Sequence, residues 1–111
     1  MPLYPNGYSS TMNTILRTAV FDRWLARLKD VRGKARIIKR IRSAERGNFG
    51  DCRVVAGGVT EMRIHYGPGY RVYFARAGNT VVLLLCGGDK SSQKRDIGTA
   101  KEYWLDYQRR S

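Results

Sequence analysis

The segment from Gly58 to Gln93 constrains the fold most strongly, because apolar and polar residues alternate through it. Before the turn sequence Gly67-Pro68-Gly69 the order is Glu61, Met62, Arg63, Ile64, His65, Tyr66, and after it Tyr70, Arg71, Val72, Tyr73, Phe74. Side chains two residues apart share one face of a strand, and antiparallel neighbours align those faces. The pattern therefore predicts a hairpin with one apolar face and one polar, partly open face.

Two more strands are expected on either side of this hairpin, because glycine pairs mark further turns. Gly57-Gly58 predicts a strand over residues 52–56, and Gly78-Asn79 predicts another over residues 80–87. The last strand is continuously apolar, as is typical of an interior strand covered on both sides. Asn13 to Thr18 is a fifth candidate strand.

Apolar residues at three- and four-residue spacing predict three helices. The first follows Thr18, a suitable N-cap, and is interrupted at Asp30 and Gly33. The second buries Ala35, Ile38 and Ile41, with Ile37 and Ala44 as further candidates, and ends at Gly47. The third covers residues 92–107. The order predicts an α+β domain over residues 12–111, with two N-terminal helices on a twisted, mainly antiparallel sheet of four to five strands and a C-terminal helix. Residues 1–11 are expected to form a flexible extension.

The charge of the chain predicts a polyanionic partner. Its 21 Lys and Arg against 9 Asp and Glu give a formal net charge of +12. Such an excess favours nucleic acid or an acidic protein. The outward face of the second helix is expected to be the most basic, with Lys34, Arg36, Lys39, Arg40 and Arg42. These side chains are candidates for contacts with RNA or an acidic partner, although a solvated helix face would have the same composition.

Cysteine and histidine usage argues against a structural metal site. Cys52 and Cys86 form no CxxC pair, and His65 is the only histidine, whereas a structural zinc site normally takes four ligands. Two thiols in a basic domain are typical of a reducing compartment, so the cytoplasm is expected. The longest apolar run, residues 81–86, is far shorter than the roughly 20 residues of a membrane span.

Four strings of the chain carry a family resemblance. They are FDRWLARLKD, GNFGD, GVTEMRIHYGPGYRVYF and LLLCGGDKSSQKRDI. Together with the element order, they resemble toxins of the RelE/ParE superfamily of bacterial toxin–antitoxin systems, in the HigB-like branch of addiction-module killer proteins. The resemblance extends from Met12 to Tyr107.

This resemblance implies a cytoplasmic, ribosome-dependent mRNA endoribonuclease that uses no metal or other cofactor. The implied partners are the ribosome with its mRNA and a small helix-turn-helix antitoxin of the HigA type. The RNA 2′-hydroxyl attacks the adjacent phosphate, so the site needs a base, an acid and positive charge on the phosphorane.

Five side chains are candidates for these catalytic roles. Arg63 and Arg71 lie across from each other on the polar face and can grip phosphate oxygens. Histidine is the side-chain type that most readily transfers protons near neutral pH, which makes His65 a candidate base or acid. Tyr73 shares the polar face, and Lys90 follows the last strand in the GGDK string. Gln93 matches the family string and is a candidate for contact with a base edge or for capping the last helix.

Two other functions fit the same sequence. ParE-like members of the superfamily inhibit DNA gyrase, although that role does not require Arg63, His65 and Arg71 together. A nonenzymatic nucleic-acid-binding module would need only the charge.

Overall fold

A computed structural model describes residues 12–110 as a five-stranded sheet with three helices. The strands are β1 (Thr14–Arg17), β2 (Cys52–Ala56), β3 (Val59–Ile64), β4 (Tyr70–Ala77) and β5 (Val81–Asp89). Their order across the sheet is β1-β5-β4-β3-β2, with β1 parallel to β5 and all other pairs antiparallel. The predicted α+β class is confirmed. The expected extension, residues 1–11, lies outside the described residues.

The helices are α1 (Ala19–Arg27), α2 (Val31–Glu45) and α3 (Gln93–Arg110), with a short 3₁₀ turn at Lys90–Ser92. Thr18 caps α1 as predicted, because its hydroxyl accepts a hydrogen bond from the Phe21 N–H at 3.0 Å. The same hydroxyl donates to the Leu85 carbonyl at 2.7 Å and so attaches the helix to β5. Gly47, with φ of 93°, lies just beyond α2. None of the helices within residues 12–110 is long and apolar enough to cross a membrane.

Two expectations for α2 were wrong. Gly33 does not interrupt a helix but lies in the first turn of α2, where Asp30 accepts its N–H at 2.9 Å. A Cβ at Gly33 would come within 2.5 Å of the Tyr70 ring, so glycine is needed for the helix to approach β4. Ala35 is exposed rather than buried, whereas Ile37 and Ala44 are buried against the sheet.

Apolar cores cover both faces of the sheet. On the α1 and α2 side the core contains Phe21, Ile37, Met62, Val72, Phe74 and Leu84. On the α3 side it contains Val59, Tyr73, Leu83, Leu85, Cys86 and Ala100. The face predicted to be partly open is therefore covered by α3 over its middle, and it reaches solvent mainly near Arg63 and His65.

Two adjacent glycines let helices approach β5 from opposite faces. A Cβ at Gly87 would collide with the Trp24 ring of α1, and a Cβ at Gly88 would collide with the Asp96 carboxylate of α3. Neighbouring residues of a strand point to opposite faces, so each glycine accommodates one helix. Part of the GGDK string is thus explained by packing.

Both cysteines carry free thiols. Cys86 is buried, its Sγ donates to the Asp96 carbonyl at 3.4 Å, and burial raises its pKa to about 12. Cys86 therefore packs in the core as a small hydrophobic residue.

Candidate functional site

A cleft of about 350 Å³ lies where β3 ends and β4 begins. Arg63, His65, Arg71 and Lys90 line it together with the Tyr66–Gly69 turn. Arg63 and Arg71 are direct partners in the β3–β4 register. Lys90 reaches the cleft because β5 ends at Asp89, opposite the first residue of β4. Four of the five candidate catalytic residues are thus brought together.

Asp51 joins two of these residues and was not singled out from the sequence. Its carboxylate oxygens lie 2.8 Å from Nη2 of Arg63 and 2.5 Å from Nε2 of His65. Hydrogen bonds from these two side chains hold the pKa of Asp51 down, at about 2. Asp51 is the last residue of the string GNFGD and lies directly before β2. Its place in this family string is the feature of the sequence from which it could have been chosen as a site residue.

The backbone around Asp51 is fixed by Arg40. The Arg40 guanidinium donates to the carbonyls of Arg63 at 2.6 Å, Phe49 at 3.0 Å and Asp51 at 3.2 Å. Arg40 was expected on the outward face of α2, but it points inward because these carbonyls offer it three acceptors. It supports the cleft from behind, and its Nη1 and Nη2 groups are engaged by backbone carbonyls.

A second carboxylate, Glu61, lies inside the protein beside the cleft. It is fully buried and accepts hydrogen bonds from the Tyr73 hydroxyl at 3.1 Å and from Nε2 of Gln93 at 2.7 Å. Arg53 and Arg71 approach it to 3.5 and 3.9 Å. Tyr73 is itself fully buried, and burial raises its pKa. Tyr73 and Gln93, two of the candidate site residues, therefore face this interior carboxylate rather than solvent.

The two arginines of the cleft retain unused donors. The side chain of Arg71 is 12% exposed and that of Arg63 is 33% exposed. The Nε atoms of both are buried without a hydrogen-bond partner. Buried N–H groups are nearly always paired in folded proteins, so these two Nε–H groups are exceptions within residues 12–110.

Of the other basic residues of α2, Arg36 contacts a residue that lines the cleft. Lys39 is exposed, and Nζ of Lys34 lies 3.5 Å from the Ala26 carbonyl. Arg36 is exposed, and its Cζ lies 4.5 Å from the centroid of the Tyr66 ring. Because Tyr66 lines the cleft, positive charge extends from the cleft onto α2.

Within residues 12–110 no three His, Cys, Asp or Glu side chains are grouped so that they could hold a metal ion.

Comparison with known proteins identifies the family. Residues 23–103 match the family model described as Phage derived protein Gp49-like (DUF891). The chain belongs to this family. The Gp49-like family is a RelE/ParE-like toxin family of toxin–antitoxin systems, and membership implies a cognate antitoxin. The residues that line the cleft, as well as Asp51 and Glu61, lie inside the matched segment.

A relative of this Gp49-like chain is an uncharacterized protein of Haemophilus influenzae. The two sequences are 51% identical over 87 residues, which cover 78% of this chain and 88% of the relative. The resemblance to the RelE/ParE superfamily is thus confirmed at the level of a toxin family.

Proposed function

We propose that this Gp49-like protein is the toxin of a type II toxin–antitoxin module and acts as a metal-independent, ribosome-dependent mRNA endoribonuclease of the HigB-like branch. The observation that carries the proposal is the cleft in which Arg63, His65, Arg71 and Lys90 meet. A protein that only bound nucleic acid would not need a histidine held by a carboxylate among these cations.

The reaction is attack of an RNA 2′-hydroxyl on the adjacent phosphorus. The new P–O bond forms as the bond to the 5′-oxygen breaks, which leaves a 2′,3′-cyclic phosphate and a 5′-hydroxyl. Arg63 and Arg71 stabilise the negative charge that develops on the phosphorane, because a guanidinium can hold two oxygens at once. Lys90, exposed at the edge of the cleft, adds a third positive charge.

His65 is the proton-transfer group of this proposal. Its side chain is 72% exposed, and its Nε2 is engaged by Asp51. Its other ring nitrogen, Nδ1, forms no hydrogen bond to residues 12–110 and is available to the RNA. A carboxylate that holds one nitrogen of an imidazole fixes the orientation of the ring. Asp51 is therefore proposed as a positioning residue for His65 and Arg63 together.

The charge distribution supports RNA as a partner, and the toxin family implies an antitoxin. Lys34, Arg36 and Lys39 on α2 are proposed to contact ribosomal or messenger RNA beside the cleft, with salt-dependent affinity. The antitoxin is proposed to be a small helix-turn-helix protein of the HigA type, and the cytoplasm is the proposed location. Arg40 is left out of the RNA-contacting set because it faces inward.

The test is to map the 5′ ends of mRNA after brief induction of the toxin, and with purified toxin on programmed ribosomes. Codon-periodic cuts with 2′,3′-cyclic phosphate ends are expected for the wild type. Arg63→Ala and His65→Ala should lose them, whereas Arg76→Ala, a charge-matched change toward the far end of β4, should not.

Two outcomes would contradict the proposal. DNA breaks that depend on gyrase, with intact mRNA, would favour the ParE-like alternative. Growth arrest without either kind of cut, and unchanged by Arg63→Ala, would favour a nonenzymatic nucleic-acid-binding protein.

A further inference from the structure

Arg36 on α2 is held in place without using its hydrogen-bonding groups. Its Cζ lies over the Tyr66 ring at 4.5 Å from the centroid, a distance typical of a cation–π contact. The side chain is exposed and makes no hydrogen bond or ion pair with residues 12–110. The guanidinium is thus oriented by stacking, while its N–H donors remain free for a ligand.

Tyr66 is itself fixed by the turn between β3 and β4. Its N–H donates to the Ile64 carbonyl at 2.9 Å, and its carbonyl accepts the Gly69 N–H at 3.1 Å. Gly67 and Gly69 both have positive φ, at 57° and 82°, and Pro68 between them restricts the turn further. The Tyr66 side chain is partly buried and packs against the core on the α1 and α2 side of the sheet. This packing and the constrained backbone restrict the ring, which therefore supports the Arg36 guanidinium.

This pair lies beside the proposed phosphate site. Tyr66 follows His65 directly and lines the same cleft as Arg63 and Arg71. An RNA strand whose phosphate occupied the cleft would carry the base of a neighbouring nucleotide toward α2. Single-stranded RNA is commonly recognised by bases stacked on aromatic rings or on arginine planes.

We infer that Arg36 and Tyr66 form a stacking site for one nucleobase next to the scissile phosphate. The base stacks on the guanidinium, which lies over the Tyr66 ring, and the N–H groups of Arg36, which lie in the guanidinium plane, are directed to the side, where a sugar-phosphate group can accept from them. The site takes unpaired nucleotides, because a base inside a duplex has no free face. The inference rests on the proposed function, since it deepens the description of the same RNA-binding cleft.

The experiment is a binding assay that needs neither a ribosome nor cleavage. The probe is a set of single-stranded 2′-fluoro oligonucleotides, which lack the attacking hydroxyl, with one abasic position moved along the strand. For the wild type and for Tyr66→Phe, which keeps the ring, one position should cost about ten-fold in affinity when the base is removed.

The variants assign that penalty to the two residues. In Tyr66→Ala and in Arg36→Gln the abasic penalty should fall to about two-fold or less, since the stack is gone. Arg32→Gln removes the same charge one turn earlier on α2, so it should weaken binding of every probe by a similar factor and keep the ten-fold penalty. Thermal melting checks folding, and Arg36→Gln decides the matter if Tyr66→Ala does not fold.

The inference is overturned by an equal penalty in the wild type and Arg36→Gln, by no penalty at any position, or by a failure of the wild type to bind. These outcomes are separate from the mapping of mRNA ends. A protein that cuts ribosome-bound mRNA without an abasic penalty retains the proposed function and loses the stacking site. A protein that shows the abasic penalty but cuts no mRNA retains the stacking site and loses the proposed function.

Discussion

Two carboxylates pair with the arginines of the cleft, and their surroundings differ sharply. Glu61 on β3 is fully buried and is approached by Tyr73, Gln93, Arg53 and Arg71. Asp51 is 37% exposed, and within residues 12–110 its carboxylate pairs with the cleft residues Arg63 and His65. The first therefore joins β2, β4 and α3 to β3, whereas the second arranges groups that meet the solvent.

The comparison shows that the positive charges of Arg63 and Arg71 are balanced by two carboxylates with different roles. Arg63 and Arg71 face each other across β3 and β4, where like charges would destabilise the sheet. Each approaches its own carboxylate: Arg63 pairs with Asp51, and Arg71 lies 3.9 Å from Glu61, two residues before Arg63 on β3. The buried carboxylate is expected to contribute mainly to the free energy of unfolding, and the exposed one mainly to the reaction.

The largest effect is expected for Glu61→Ala. Removal of this carboxylate leaves the Tyr73 hydroxyl and the Gln93 amide without their acceptor, and it leaves the Arg71 guanidinium without its neighbouring carboxylate. Breaking a buried ion pair typically costs about 3–5 kcal/mol. Urea unfolding at pH 7 measures the loss. Glu102→Ala, on the exposed side of α3, is the control and should leave the midpoint unchanged. Equal midpoints for the two variants would contradict the structural role of Glu61.

Arg63→Ala and Arg71→Ala should each lower the rate of RNA cleavage by about 10² to 10³, as is typical when one contact to a developing oxyanion is lost. The rate is measured on programmed ribosomes at saturating toxin. Since Arg71 also approaches Glu61, its variant should lose more stability than the Arg63 variant. A cleavage rate within two-fold of the wild type for either variant would remove that arginine from the site.

Asp51→Asn should lower the cleavage rate by about 10-fold to 100-fold, less than the loss of a complete acid or base group. Unfolding at pH 7 should show a loss of stability that is small compared with that of Glu61→Ala, because the carboxylate is partly exposed and its ion pairs are screened by solvent. The acid range separates the two roles. The pKa of Asp51 is lowered from 3.8 to about 2, so its contribution to stability is present above pH 3.8 and is lost as the pH falls toward 2.

The measurement compares unfolding of Asp51→Asn and the wild type at several pH values between 4 and 2. The wild type should lose stability more steeply than the variant over this interval. Parallel curves would mean that Asp51 is not held ionised by Arg63 and His65.

The smallest effect is expected for Tyr70→Phe, which tests a third carboxylate, Asp30. The Tyr70 hydroxyl donates to Asp30 at 2.8 Å, and burial together with this bond raises the pKa of Tyr70 to about 12. The variant should lose about 1.5 kcal/mol at pH 7. Because the folded pKa is raised, the stabilisation by Tyr70 is present below pH 10 and disappears as the pH rises toward 12. The curves of the two proteins should converge over that interval, and a constant gap would contradict the assignment.

The sequence predicted the hairpin of β3 and β4 well, since alternation with period two and a glycine-proline turn both act locally. It placed Arg63 and Arg71 on one face and Thr18 at the start of α1 for the same reason. It did not predict that Glu61 is buried. A carboxylate among the polar residues of a strand is expected to face solvent. Glu61 is instead covered by α3, where Gln93 donates to it.

Arg40 and Asp51 show the same limit. Helical periodicity assigned Arg40 to the outward face of α2, because no local pattern records that three carbonyls from distant residues converge on it. Asp51 stands in a loop after Gly50, where spacing gives no information about contacts. Its neighbours become visible only once β2 is paired with β3.

The contact of Arg40 with the carbonyls of Arg63 and Asp51 has a thermodynamic consequence for the cleft. An ion pair between two free surface side chains usually gains little, because rotational freedom is lost when it forms. Here the backbones of both partners are already tied to one guanidinium, and the Arg63 N–H also donates to the Asp51 carbonyl at 3.0 Å. Much of this conformational entropy is already lost during folding. Binding of a phosphate at Arg63 therefore costs little additional conformational entropy.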